Sequence, residues 1–180
     1  MRRAEVQVAQ ERARKALAEA GIVLTQEEAA NIEVTDTSLN RLNSEGLEIV
    51  TYVNNEIYCA KELVIFPGQT CPEHRHPPFE GSLGKQETFR CRQGLVWLYV
   101  EGKRTENIQA KVPEESKPYY TAFHEIVLRP GEQYTIPRNT LHWFQGGPEG
   151  AIVSEFSSAS RDEFDVFTNP NIRRITAVED

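Results

Sequence analysis

His74 and His76 stand two residues apart in Pro72-Glu-His-Arg-His-Pro77. In an extended chain alternate side chains point to one face, so both imidazoles can converge on a single point. That is what a metal ion asks of two ligands on one strand. Glu87 follows in Gly84-Lys-Gln-Glu-Thr-Phe89, and His142 lies in Pro137-Arg-Asn-Thr-Leu-His-Trp143. Glu80 is the competing carboxylate, but its Pro- and Gly-flanked surroundings suit a turn. Taken alone, a His-x-His pair is equally compatible with surface or structurally satisfied histidines. Three imidazoles and one carboxylate, with no thiolate, form a borderline-hard set compatible with Mn, Fe, Co, Ni or Zn. The fourth histidine, His124, reads as a non-ligand.

The spacing around these residues is informative. Five residues separate Gly68 from His74, and six separate Glu87 from Gly94. Gly131 precedes Pro137 by five residues, followed by Asn139, His142 and Gly146 after gaps of one, two and three. This pattern resembles the cupin superfamily, whose two motifs supply a His, His, Glu, His metal site inside a small antiparallel barrel. The departure is the ten-residue stretch PPFEGSLGKQ between His76 and Glu87, where most cupins have only a few residues. Within the superfamily the chain is most similar, over about residues 47–175, to the cupin-type D-lyxose ketol-isomerases. That family shares the long gap, the Lys85-x-Glu87 pair, and the Ser154-Glu-Phe-Ser157 segment followed by an acidic tail. The resemblance implies His74, His76, Glu87 and His142 as metal ligands, Lys85 and Glu155 facing the substrate, and Asp165 contacting a sugar hydroxyl.

Aldose–ketose interconversion removes a proton beside a carbonyl and returns it one carbon away. Two open positions on an octahedral ion could chelate the carbonyl and neighbouring hydroxyl and stabilise a cis-enediolate. Mn²⁺ leads the expected ions, with Co²⁺, Fe²⁺, Ni²⁺ and Zn²⁺ compatible. The proton carrier must be a positioned base. Alternation places Glu155 on one face with Val153 and Ser157; periodicity leaves that face inward or outward, and the resemblance implies inward. A carboxylate on an apolar strand pointing into a barrel is desolvated, which suits a base. Lys85 shares a face with Glu87 and could polarise O1 or O2 of a bound sugar, or else be a surface lysine beside a ligand. Trp97 is a candidate to line a sugar pocket, with barrel-core packing the other reading. Of Trp143 and Phe144, one should face the metal cavity. Arg161, Asp162, Arg173 and Arg174 read as a solvated C-terminal face or a dimer contact.

The elements that must position these residues divide into a helical preface and a strand-rich body. Val6, Ala9, Ala13, Leu17 and Ala20 recur at helical intervals, and Gly21 is placed to end that helix. Thr25 and Glu28 form a capping-box pattern for a second, short helix. After Gly46 the period shortens. Residues 47–53 and 56–66 read as strands joined by a two-residue Asn54-Asn55 turn. Further strands are expected at 95–101, 119–128, 133–137 and 151–157, punctuated by Pro-Gly and Gly-Gly pairs. The expectation is an all-β cupin barrel (46–180, including a C-terminal tail) with an N-terminal helical extension (1–45).

Composition bounds the function. A chain of 180 residues with 39% apolar and 26% charged residues is globular, and its net charge of −7 disfavours nucleic acid. No apolar run is long enough for a bilayer, and the charged first twenty residues lack the apolar stretch of a signal peptide. Three cysteines without a CxxC pair suggest reduced thiols, hence a cytoplasmic protein. No phosphate-cradling loop is visible, so the expected substrate is a free pentose or hexose such as D-lyxose or D-mannose. A helical arm and exposed barrel edges make a homodimer the expected assembly. A cupin dioxygenase, a non-catalytic sugar-binding cupin and a phosphosugar isomerase are the alternative readings.

Overall fold

The computed structural model describes residues 1–180. Helix α1 (Arg3–Glu19) buries Ala9, Ala13 and Leu17, one residue per turn along a single stripe. Two alanines in that stripe allow close approach to Val50, Val64, Phe66 and Ile152 on the outer face of the sheet. Gly21, at φ +74°, follows the helix in the left-handed conformation that glycine adopts without strain. In α2 (Gln26–Ala30) the expected capping box is formed: the Glu28 amide donates to Thr25 Oγ1 (3.1 Å) and the Thr25 amide to Glu28 (2.7 Å).

Nine strands follow: β1 (Glu33–Thr35), β2 (Leu47–Asn54), β3 (Tyr58–Ile65), β4 (Thr70–Arg75), β5 (Glu87–Val100), β6 (His124–Leu128), β7 (Gln133–Ile136), β8 (His142–Ser158) and β9 (Val166–Phe167). They run β1-β2-β3-β8-β4-β9, with β5 paired to β6, β7 and β8. All pairings between named strands are antiparallel. The 17-residue β8 curls the sheet on itself. On one edge its first residues pair with β4 and its last with β3, while β5 runs along the other edge. Leu63, Phe89, Val96, Leu98, Phe144 and Val153 fill the interior of this cupin barrel. At Gly94 (φ +77°) β5 bulges against β8, where an added Cβ would lie 2.0 Å from the Gly150 carbonyl oxygen. No other residue fits there.

Several sequence expectations need correction. The β2–β3 connection is the three residues Asn55–Ile57, not the Asn54-Asn55 pair, because Asn54 still belongs to β2. Asn55 Oδ1 accepts from the Ile57 and Tyr58 amides, and neither asparagine adopts positive φ. Tyr119 ends a 3-10 turn (Glu114–Tyr119), so the expected strand at 119–128 begins only at His124. β1 and β9 are additional edge strands, too short to show a period. The C-terminal tail folds back on the preface: the Arg173 amide donates to the Thr37 carbonyl (3.0 Å) and the Arg3 amide to the Glu179 carbonyl (2.8 Å). All three cysteines are buried and unpaired with one another. No helix is long and apolar enough to cross a membrane.

Candidate metal centre

β4 and β8 are neighbours, and His74 pairs directly with His142 across their ladder. Cross-strand neighbours hold their side chains close, and the two ring centroids are 4.3 Å apart. His76, just past the end of β4, turns its ring to the same side, 4.9 Å from His74 and 5.3 Å from His142. The three imidazoles are buried, with ligand atoms all within 4.8 Å of one another. Glu87 opens β5 from the opposite wall. Its Oε1 lies 3.3 Å from His76 Nε2 and 2.9 Å from His142 Nε2.

Each imidazole is held from behind. His74 Nδ1 donates to the Pro72 carbonyl (2.7 Å) and His142 Nδ1 to the Thr140 carbonyl (2.9 Å). His76 Nδ1 donates to Asp165 Oδ1 (2.5 Å). Committing Nδ1 this way fixes the tautomer and turns Nε2 inward, the arrangement metal-ligating histidines need. His76 Nε2, His142 Nε2 and Glu87 Oε1 are then buried polar atoms with no hydrogen bond of sound geometry. Three such atoms converging on one point are costly unless a cation satisfies them. A three-nitrogen, one-oxygen set fits a divalent transition metal. Cys71 lines the same cavity, but its sulfur is not among the ligand atoms that converge there. Glu80 is exposed in a turn at φ +44°, which removes it as the competing carboxylate.

Beside this cluster lies a buried charge relay. Lys85 Nζ is 2.8 Å from Glu87 Oε2 and 2.6 Å from Glu155 Oε1. Glu155 sits in β8 opposite Phe89 of β5 and Lys61 of β3, faces the cavity, and accepts from Ser157 Oγ at 3.2 Å. Burial opposes charge on Lys85, but Glu155 and Glu87 outweigh it and hold the ammonium well above the usual lysine range. Burial likewise opposes the Glu87 carboxylate, which Lys85 and His76 hold well below the usual range. For His76, burial and Lys85 favour the neutral ring; Glu87 and Asp165 overcome them, raising it to about 9. Burial beside His142 and His76 keeps His74 well below the usual histidine range.

The structure also brings to the site residues expected at the surface. Asp162 and Arg174 line the cavity rather than a solvated face; their side chains are 19% and 16% exposed. Asp162 Oδ2 pairs with Lys61 (2.5 Å) and Arg174 (3.4 Å), and its Oδ1 lies 3.8 Å from Lys85. These cations hold Asp162 well below the usual carboxylate range, against the effect of burial. Arg161 and Arg173 are exposed as expected. Lys61 faces the cavity from β3, whose residues show no alternation to mark it among twenty basic residues.

Asp165 lines the cavity as expected of a sugar contact and, beyond that expectation, supports His76. Trp97 is not in the cavity. Strand alternation sends Val96, Leu98 and Val100 into the barrel and turns Trp97 outward, against the cluster of Tyr99, Tyr120 and Trp143. Phe144 faces the cavity and Trp143 faces away. His124 is exposed, its Nδ1 on the Lys103 carbonyl.

Fold and site together define a cupin-type barrel with a three-histidine, one-carboxylate centre suited to a divalent metal. Solved structures share the architecture. Cellulomonas parahominis L-ribose isomerase with L-ribose superposes with a TM-score of 0.84 at 16% identity, covering 99% of this chain and 98% of that one. Acinetobacter sp. DL28 L-ribose isomerase in complex with L-ribose gives 0.82 at 15% identity over the same shares. The family model for D-lyxose isomerase matches residues 9–180. A D-lyxose/D-mannose isomerase of Thermosediminibacter oceani is 60% identical over 180 residues, covering 100% of this chain and 99% of that protein. A D-lyxose ketol-isomerase of Thermofilum sp. is 64% identical over 173 residues, covering 96% of each. The chain belongs to the D-lyxose isomerase family and is an aldose–ketose isomerase.

Proposed function

We propose that this protein interconverts D-lyxose with D-xylulose, and D-mannose with D-fructose, at a divalent metal held by His74, His76, Glu87 and His142. The observation that carries the reading is Glu155: a buried carboxylate in the metal cavity that is not itself a ligand and is linked through Lys85 to the ligand Glu87. When bound, the ion supplies Lewis-acid polarisation of the sugar's carbonyl and adjacent hydroxyl oxygens. Glu155 is the proton carrier. It takes the proton from C2 of the aldose as the C1–C2 double bond forms, then returns it to C1 as the C2 carbonyl forms. The hydroxyl proton moves from O2 to O1 in the same conversion, so the overall reaction consumes nothing.

Lys85 holds Glu155 in place and, as a cation, offsets negative charge developing on the sugar oxygens. Asp162, Lys61 and Arg174 form a polar wall that suits hydroxyl groups, and Asp165 adds an acceptor beside His76. The same reading takes Mn²⁺ as the leading ion. It places the protein in the cytoplasm, in keeping with three unbridged thiols, and pairs two copies, in keeping with exposed Tyr52, Tyr58 and Phe156 on β2, β3 and β8. The test is a panel of free and phosphorylated aldoses given to chelator-treated and Mn²⁺-reloaded protein. Turnover of D-lyxose and D-mannose that vanishes with the chelator and returns with Mn²⁺ is expected; full turnover by the stripped protein overturns the metal reading.

A further inference from the structure

Glu73 sits between Pro72 and the ligand His74, and strand alternation points it away from the metal. It is 2% exposed and fully engaged. Its Oε2 accepts from the Thr121 and Ala122 amides (2.6 and 2.7 Å), and its Oε1 from Thr121 Oγ1 and Thr168 Oγ1 (2.9 and 2.8 Å). Its backbone carbonyl accepts from the Thr168 amide (3.1 Å). Thr168 is the residue directly after β9, and Asp165 the residue directly before it. β9 lies on the metal strand through only two pairs, His74 with Phe167 and Arg75 with Val166.

We propose that Glu73 is a positioning residue for the metal centre: through Thr168 it clamps β9 onto β4 and thereby sets Asp165 against His76 Nδ1. The inference rests on the metal reading given above. Two ladder pairs are a weak anchor for an edge strand, and the Glu73–Thr168 contacts secure it at its far end. Asp165, at the near end, is then delivered to the ring of His76 in one orientation. The alternative role for Glu73 is a plain clamp on the loop at 121–122, whose loss lowers stability and nothing else.

The two roles separate in a measurement of Mn²⁺ affinity on metal-stripped protein, paired with thermal denaturation without the ion. Outer partners of metal ligands commonly matter by about 10–100-fold in affinity, which sets the expectation for Asp165→Asn and Glu73→Ala. Thr168→Val keeps the side-chain shape and removes one bond; acting one step further back, it should weaken Mn²⁺ binding at the lower end of that range, about 10-fold. Thr121→Val removes only the hydroxyl contact to the loop and should leave Mn²⁺ affinity unchanged, as should Leu17→Ala, which destabilises α1 far from the site. Thr168→Ser should restore binding. If Glu73→Ala fails to fold, Thr168→Val carries the test. Wild-type affinity in Thr168→Val alongside a loss in Asp165→Asn overturns the proposal, and so does a loss of affinity that follows melting temperature across all variants. A wild-type protein that binds no divalent ion would remove the metal reading itself, and this proposal with it.

Discussion

Lys85 Nζ stands 2.6 Å from Glu155 Oε1, with both side chains about 5% exposed, so the ammonium and the carboxylate neutralise each other out of water. Glu155→Gln preserves shape and leaves the four candidate ligands untouched. We expect this variant to retain its metal while kcat falls about 10²–10⁴-fold, the usual worth of a positioned acid–base group. Turnover assays paired with elemental analysis check it. Near-normal turnover in a metal-loaded variant would take Glu155 out of the mechanism.

Removing the cation of that pair has a different signature. Lys85→Met leaves Glu87 and Glu155 as buried carboxylates without their shared counter-charge, and breaking a buried pair typically costs about 3–5 kcal/mol. Adding Glu155→Gln to Lys85→Met removes one of the stranded charges. The double variant should therefore be more stable than Lys85→Met alone while remaining inactive. Thermal melts of the four proteins in this cycle measure the coupling; additive losses would mean the two side chains do not share charge as described.

Glu80, within the long stretch after His76, and Glu87, directly after it, differ in what their loss does to the metal. Glu87→Gln should lose at least about ten-fold in ion affinity, read as metal content after gel filtration, because it removes a ligand charge from a buried site. Glu80→Gln should hold its metal as the wild type does, since Glu80 is exposed in its turn. The opposite ranking would reassign the ligand.

The candidate ligands His74 and His76 were legible because their geometry is local. A two-residue repeat on a strand puts His74 and His76 on one side, and the flanking glycines mark where the strands must bend. Gly94, in particular, stands where no Cβ fits. Glu155 could be placed on a strand face, but which way that face turned depends on how β8 is shared between β3, β4 and β5. Asp162 and Arg174 were misread for a related reason. Their inward position comes from the tail folding back along Thr35 and Thr37, and no periodicity records a contact between segments about 140 residues apart. The task of Asp165 was hidden in the same way, because two residues of β9 are too few to show alternation.

Trp97 offers a check on the face assignment. Its indole Nε1 is buried without a hydrogen-bond partner, on the opposite side of β5 from the barrel interior. Trp97→Phe deletes an unsatisfied donor whose burial carries a penalty. We therefore expect kcat and KM for D-lyxose within about twofold of the wild type, and little change in stability. A selective rise in KM would return Trp97 to the sugar site.

Glu48 gives the clearest expectation for pH. It is fully buried in β2 between the β1 and β3 partners Val34 and Val64, with Gln69 Nε2 3.4 Å from Oε1 and nothing bonded to Oε2. Burial raises its carboxyl from an ordinary 4.5 to about 8, with Gln69 and the Arg12 guanidinium of α1 opposing only in part. Between those two values the folded protein keeps the proton that the unfolded chain has released. This group's contribution to stability therefore falls as pH rises, by up to about 1.4 kcal/mol per pH unit. Glu48→Gln removes the titration and keeps the shape. The gap in melting temperature between Glu48→Gln and wild type should be small at pH 5 and widen in favour of the variant by pH 8, other titrating groups cancelling in the difference. A gap that stays constant across that range would show Glu48 ionised throughout, with Arg12 supplying its counter-charge.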